Sequence, residues 1–151
     1  MMIQKIDIKD RKNARKVLRL QKEAYKVEVK YLDSYRIPPL METVDSLIES
    51  NEHFYGYFEN ERLIGVTAYE IEDNAFILSR VMVSPKHFRK GVASTLIHYV
   101  LQLEPNMEKY YVTTGAKNEP ALRLYKKFGF KEVSHFQVVG IHLTKLMKTN
   151  V

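Results

Sequence analysis

The sequence predicts a single α/β domain: a mixed β-sheet with helices packed on both faces. Three observations carry this. Runs of β-branched and aromatic residues alternate with amphipathic stretches at helical spacing. Three of those runs follow one another in mid-chain, separated only by short polar turns. Two later strands each lead, through a turn, into a helix that opens on a capping residue. At 151 residues the chain, 1–151, is expected to form one domain with a sizeable core.

In chain order, residues 2–8 alternate and read as a strand. Asp10 is placed to cap a helix that runs to about residue 30, with Ala14, Val17, Leu18 and Ala24 inward and a basic outer face. Ile37-Pro38-Pro39 makes the stretch from Tyr31 to Leu40 a rigid loop. A short helix over about 41–50 turns Val44, Leu47 and Ile48 inward. His53–Glu59 and Leu63–Ile71 pair as a hairpin about Asn60-Glu61. A turn at Glu72-Asp73-Asn74 leads to a third antiparallel strand, Ala75–Val83. A helix over Gly91–Leu103 carries Leu96, Val100 and Leu103 on one side. Tyr110–Thr114 reads as a buried strand, and the Asn118 helix follows it. Two strands, in Phe130–Val138 and Ile141–Met147, complete the order β-α-α-β-β-β-α-β-α-β-β.

Composition is that of an ordinary globule, 45% hydrophobic and 28% charged. With no cysteine there is no disulfide, no cysteine–zinc site and no cysteine acyl-enzyme. The start shows no signal-peptide core and no run reaches membrane-spanning length, so the expectation is a cytoplasmic protein without membrane contact. Net charge is 24 − 18 = +6, with the basic residues densest over 9–22. Solubility is the plainer reading of that charge. Attraction of a polyanion is the functional one, and nucleic acid is disfavoured because no recognised binding motif accompanies the basic face. His53, His87, His98, His135 and His142 show no metal spacing, His98 reads as a structural mid-helix residue, and no serine-nucleophile elbow is present.

Two segments carry the functional signal. In Asn118-Glu119-Pro120-Ala121-Leu122-Arg123-Leu124-Tyr125-Lys126-Lys127-Phe128-Gly129-Phe130, Asn118 is a helix cap, Pro120 suits the first turn and Gly129 stops the helix. Ala121, Leu122, Tyr125 and Phe128 share one side, so Tyr125 lies two turns in. In Phe88-Arg89-Lys90-Gly91-Val92-Ala93-Ser94, a basic turn opens a helix whose first backbone N–H groups are free to hold an anion. Small residues at 91 and 93 let a pyrophosphate approach the backbone, with the charges of Arg89 and Lys90 beside it.

Asn-x-x-Ala-x-x-x-Tyr-x-x-x-Gly-Phe, together with this upstream turn, resembles the GNAT superfamily, the acyl-CoA-dependent N-acetyltransferases. The resemblance covers nearly the whole chain. The family's phosphate-loop pattern is Gln/Arg-x-x-Gly-x-Gly/Ala; Phe88 departs from it in the first place, and affinity is expected to survive because the grip is made mostly by main chain, with weakening left open. The resemblance implies that strands 4 and 5, 75–83 and 110–114, splay apart. It implies that acetyl-CoA is the cosubstrate, with pantetheine amides bonding near Met82 and Val83 and the phosphates at Arg89, Lys90, Gly91, Val92, Ala93 and Ser94. It makes Asn118 a cofactor contact and Tyr125 both a cofactor contact and the acid that protonates the leaving thiolate. A main-chain N–H at a bulge is implied as the donor to the thioester carbonyl.

The base is less defined. Relatives often carry a glutamate on the strand before the phosphate loop, and Ala75–Ser84 contains no carboxylate. Glu70 and Glu72 are the substitutes, with a solvated edge charge as the bland reading of each; Thr113, Thr114 or Tyr31 ordering a water is the other route. On the acceptor side, Tyr25, Tyr31, Tyr35 and the proline loop are candidates for a pocket wall, and Glu23, Glu28 and Asp33 for attracting an amine. The resulting expectation is direct transfer of an acetyl group to a small-molecule or peptide amine, without a metal. The alternative is a non-catalytic acyl-CoA-binding regulatory module, and a homodimer through the last strands is open.

Overall fold

The computed structural model describes residues 2–28 and 41–150. The strands are β1 (Met2–Ile6), β2 (His53–Glu59), β3 (Arg62–Glu72), β4 (Ala75–Val83), β5 (Lys109–Gly115), β6 (Lys131–Val138) and β7 (Ile141–Thr149). The helices are α1 (Arg11–Glu28), α2 (Val44–Glu49), α3 (Val92–Leu103) and α4 (Glu119–Lys127), with one 3-10 turn at Pro85–His87. The seven strands form one sheet in the order β1-β2-β3-β4-β5-β7-β6; β4 and β5 are its parallel pair and the other neighbours are antiparallel. This is the expected element order, with β1 two residues shorter than its alternation suggested. Tyr31, Asp33, Tyr35 and the proline loop, and the side chain of Glu28, lie outside what is described.

The turns explain the antiparallel register. Asn60 and Glu61 (φ 50° and 65°), Asp73 and Asn74 (50° and 63°), and Val139 and Gly140 (49° and 80°) each place two consecutive residues in the left-handed region. That backbone matches the right-handed twist of a two-residue hairpin. Helix ends follow side-chain chemistry. The Asp10 carboxylate accepts from Lys12 N–H at 2.9 Å, Thr43 and Ser46 make reciprocal cap bonds, and Gly129 (φ 93°) ends α4.

Two bulges decide what faces what. Ile64 of β3 is the extra residue between the pairs Tyr57↔Gly65 and Phe58↔Leu63. Ser79 of β4 is the extra residue between Ala68↔Arg80 and Tyr69↔Leu78. An extra residue reverses the inside–outside alternation beyond it. Hence Phe76 and Leu78 lie in the cluster under α3 and α4 with Tyr110, Val112, Leu122, Tyr125 and Phe130. Beyond Ser79, Met82 lies instead in the cluster under α1 and α2 with Val17, Leu20, Leu47 and Phe54. Gly65 lets α3 pack close: a Cβ there would stand 2.6 Å from Val92 Cγ1.

Three sequence expectations need correction. β5 is buried on one face only: Tyr110, Val112 and Thr114 are buried, Tyr111 is half-buried and Thr113 is exposed. Helices α1 and α2 cover the sheet as far as β4, so the outer face of β5 stays open. Leu103, expected on the inner side of α3, is 40% exposed, because the helix ends there over the sheet's rim. His98 faces solvent rather than the core.

Candidate active site

The parallel pairing of β4 with β5 runs from Ala75↔Lys109 to Leu78↔Val112 and stops. Beyond it, β4 continues to Val83 on β3, and β5 continues to Gly115 on β7. The strands therefore part at the Ser79 bulge. Ser79–Val83 on one side and Thr113–Gly115 on the other keep edge backbone groups with no strand between them. An edge of this kind takes an extended amide-bearing ligand by strand addition. The side chains of Met82 and Val83, 2% and 9% exposed, are committed to the core, so any contact these two residues make in the gap is through main chain.

The top of β4 leads through the 3-10 turn to the phosphate-loop candidates. Arg89 (φ 63°) and Gly91 (φ 76°) are both left-handed, which turns the chain sharply into α3. Gly91 is the N-cap and offers no side-chain cap, while its carbonyl accepts from Thr95 N–H at 3.0 Å. The first-turn amides of Val92, Ala93 and Ser94 therefore have no cap side chain over them. The space a Cβ of residue 91 would enter is open to 4 Å. Arg89 and Lys90 are exposed beside it, and Phe88, 41% exposed, points outward. An uncapped helix start with open space and two cations fits a pyrophosphate.

On the other side of the fork, Asn118 is buried and its side chain accepts from Ala121 N–H at 3.2 Å, the expected cap. Tyr125 is 6% exposed and packs edge-on to Phe130 at 6.2 Å between ring centres. It shares its cluster with Leu78 and Val112, the last paired residues before the strands part. Tyr125 thus belongs to the same buried cluster as the residues at the base of the fork.

The face toward α1 and α2 holds a group of residues the sequence reading missed. Arg80, turned there by the bulge, uses all five guanidinium N–H donors. Nε and Nη2 donate to the two oxygens of Glu52 at 2.7 Å each, Nη1 and Nη2 to Glu42 at 2.5 and 3.0 Å, and Nη1 to Gln21 Oε1 at 2.8 Å. Ser79 Oγ at the bulge donates to Glu52 as well. Burial alone would raise the Glu52 carboxyl; the hydrogen bonds from Arg80 and Ser79 and the Arg80 charge outweigh it and hold the group below the usual carboxylate range. The signal in the sequence was Arg80 itself, a cation inside an apolar strand that must find carboxylates. Which carboxylates depends on how α1 and α2 dock.

Of the two base candidates, Glu70 pairs with Ile77 and lies two residues from Ala68 on the same face. Its carboxyl is pushed up by partial burial, by Glu52 and by Glu72, against the pull of Arg80. Glu72 lines an open groove of about 540 Å³ together with Ile77, Tyr111, Thr113, Phe136 and Lys145. Thr113 is exposed on this open face, and Thr114 is buried on the other. Tyr25 is half-buried against the α1 cluster, and Glu23 faces solvent. Among the described residues no group of His, Asp and Glu is arranged to hold a metal ion, and no helix is long and apolar enough to cross a membrane.

Comparison with known proteins agrees with this architecture. The chain is 36% identical over 131 residues to the UPF0157 protein YqkA of Bacillus subtilis, covering 87% of this chain and 38% of YqkA. It spans about two-fifths of the length of the curated relatives it matches first. The fold is that of smu.2055 from Streptococcus mutans UA159, with a TM-score of 0.81, 20% identity and full coverage of both chains. It is also that of the PaiA N-acetyltransferase from Thermoplasma acidophilum in complex with coenzyme A, with a TM-score of 0.73, 18% identity and 99% of each chain covered. The acetyltransferase (GNAT) family model matches residues 15–130, most of the chain, and the chain belongs to that family.

Proposed function

We propose that this protein transfers an acetyl group from acetyl-CoA to a primary amine by direct attack in a ternary complex. The observation that carries the reading is the fork between β4 and β5, with an uncapped α3 following β4 and Tyr125 in the buried cluster that holds Leu78 and Val112 at its base. The family's solved relative with coenzyme A supports the choice of cosubstrate. Bound there, acetyl-CoA supplies an activated thioester. The main chain of Met82 and Val83 would hold the pantetheine amides, and the amides of Val92, Ala93 and Ser94 the pyrophosphate, with Arg89 and Lys90 adding charge. Asn118 would border the cofactor from α4.

The amine nitrogen forms a bond to the acyl carbon as the carbon–sulfur bond breaks. A lysine-like amine with a pKa near ~10.4 costs about 4–5 kcal/mol to deprotonate at pH 7, so a base is needed. Glu70 is the better candidate: it lies on the sheet face toward α1 and α2, on the same side as Ala68, and its raised pKa suits a proton acceptor. Glu72 stands farther from the fork, at the turn end of β3. Tyr125 would give the leaving thiolate its proton. A homodimer belongs to the same reading, since β6 is an edge strand exposed along its whole length with Val133, Phe136 and Val138 outward.

The test is acetyl-CoA-dependent thiol release by purified protein against separate pools of polyamines, aminoglycosides, amino acids and short peptides. Release that depends on one pool is the expected result and identifies the acceptor class. Acetyl-CoA binding by calorimetry without release from any pool moves the reading to a non-catalytic acyl-CoA-binding module. Failure to bind acetyl-CoA would reject both.

A further inference from the structure

The net charge of this protein sits almost entirely on one helix. The α1 sequence carries seven basic residues and two acidic ones, 7 − 2 = +5, out of +6 for the whole chain. The structure shows where that charge goes. The apolar side of α1 (Ala14, Val17, Leu20 and Ala24) is buried against the sheet. Lys12, Arg15, Lys16, Arg19, Lys22 and Lys26 are all exposed. They recur every three or four residues and so form one ridge along the helix. Among the described residues none of these six is in an ion pair; the ion pair that α1 makes is Arg11 with Asp45 at 2.9 Å.

One carboxylate is interleaved on the ridge, the exposed Glu23, four residues after Arg19 and three before Lys26, and the ridge from Lys12 to Lys22 holds no acidic residue. Here six neighbouring pairs are of like charge: 12 with 15, 12 with 16, 15 with 19, 16 with 19, 19 with 22, and 22 with 26. Each such pair destabilises the helix, and a polyanion laid along the ridge relieves all six. The dimensions suit phosphates. From residue 12 to 26 is about 21 Å along the axis, long enough to reach several phosphates of a duplex, with six contacts, one for each cation, as the upper bound.

We propose that the outer face of α1 docks on the phosphate backbone of a double-stranded nucleic acid, without reading its sequence. A lipid surface fits less well. A helix that lies in a membrane interface inserts apolar side chains, and those of α1 are already under the sheet with no exposed apolar residue between the cations. The absence of a sequence-reading motif, which counted against nucleic acid at the level of sequence, is what backbone-only docking requires.

The experiment is fluorescence anisotropy of a labelled 20-base-pair DNA duplex, with an RNA duplex of the same sequence as a second arm, titrated with the intact protein from 50 to 200 mM salt. Six phosphate contacts, the most the ridge can make, set the steepest log–log salt slope at about −5, a loss of affinity of about a thousandfold over that range, and a slope of about −3 or steeper is expected. The pair Arg15→Gln and Arg19→Gln is expected to reduce the slope by about two, with acetyl-CoA affinity and thermal midpoint kept as the check on folding. Lys127→Gln with Lys131→Gln, an equal charge loss away from the ridge, is expected to leave the slope unchanged. The proposal is overturned by no binding at 50 mM salt, by a slope near zero, or by equal effects of the two variant pairs. Tighter binding to phosphatidylserine vesicles than to either duplex at the same salt would overturn it in favour of a lipid surface.

Discussion

Arg80 and Tyr125 pose opposite problems at the scale of single residues. Tyr125 was legible from its motif, since the helix period and the flanking Asn118 and Gly129 fix where it points. Its ring is buried against Phe130, so Tyr125→Phe keeps the packing and removes the hydroxyl. We expect turnover to fall by on the order of 10²–10⁴, the worth of a positioned proton donor, with acetyl-CoA affinity nearly unchanged. Steady-state kinetics beside calorimetry on one preparation separates the two, and unchanged turnover would remove the acid role. Arg80 was visible as a residue but not as a site, because its partners Glu42, Glu52 and Gln21 stand 38, 28 and 59 positions away and only docking of α1 and α2 brings them together. Its ion pairs are largely desolvated, with side-chain exposures of 12% for Arg80 and 8% for Glu52. Removing the cation leaves Glu52 charged and uncompensated, and Arg80→Met is expected to cost about 3–5 kcal/mol. Adding Glu52→Gln to that variant should restore part of the loss in urea denaturation; no recovery would show that the damage lies in packing instead.

At the scale of elements, order and turns were readable because their determinants are local. Two-residue turns, a capping asparagine and a terminating glycine each act within four residues. The exposure of the outer face of β5 was not readable, because it depends on how far α1 and α2 reach across the sheet. The family resemblance implied a bulge but not its position, and its place at Ser79 was not readable, since one extra residue leaves no mark on an apolar run. Two substitutions test how the helices are held. Asn118→Ala deletes the cap that receives Ala121 N–H and should cost about 1 kcal/mol. Gly65→Ala adds a methyl group where Val92 already stands. It is expected to cost about 1–3 kcal/mol and, by pushing the start of α3 outward, to weaken acetyl-CoA binding as well. If the Gly65 variant kept the acetyl-CoA affinity of the unaltered protein, α3 would not be positioned through that contact.

For the whole molecule, the carboxylates on the sheet face toward α1 and α2 set how stability responds to acid. Glu52 titrates lower in the folded state than in the unfolded chain. The unfolded chain therefore takes up protons first as pH falls, and the stability that Glu52 contributes, complete above about 4.5, is lost as pH drops through its folded value. Glu70 has the opposite sign. Its folded pKa is raised, so the folded state takes up its proton earlier, and protonation relieves repulsion from Glu52 and Glu72 before the Arg80 network begins to fail. Glu132, lowered by its hydrogen bond from Lys126, is on the surface and exposed to salt screening. The expected curve is thus flat, or slightly rising, as pH falls from 7 toward 5, and steeply falling below about 4.5 while protonated carboxylates leave the surplus of basic residues unopposed. Glu70→Gln should abolish any rise without altering the fall. Glu52→Gln should lower stability at pH 7 and make the acid limb shallower, because the group that was losing its charge is gone. Urea midpoints between pH 3 and 7 for the three proteins decide the assignment. A limb equally steep in Glu52→Gln would place the acid sensitivity in other carboxylates and leave Arg80 and its glutamates as a structural tie alone.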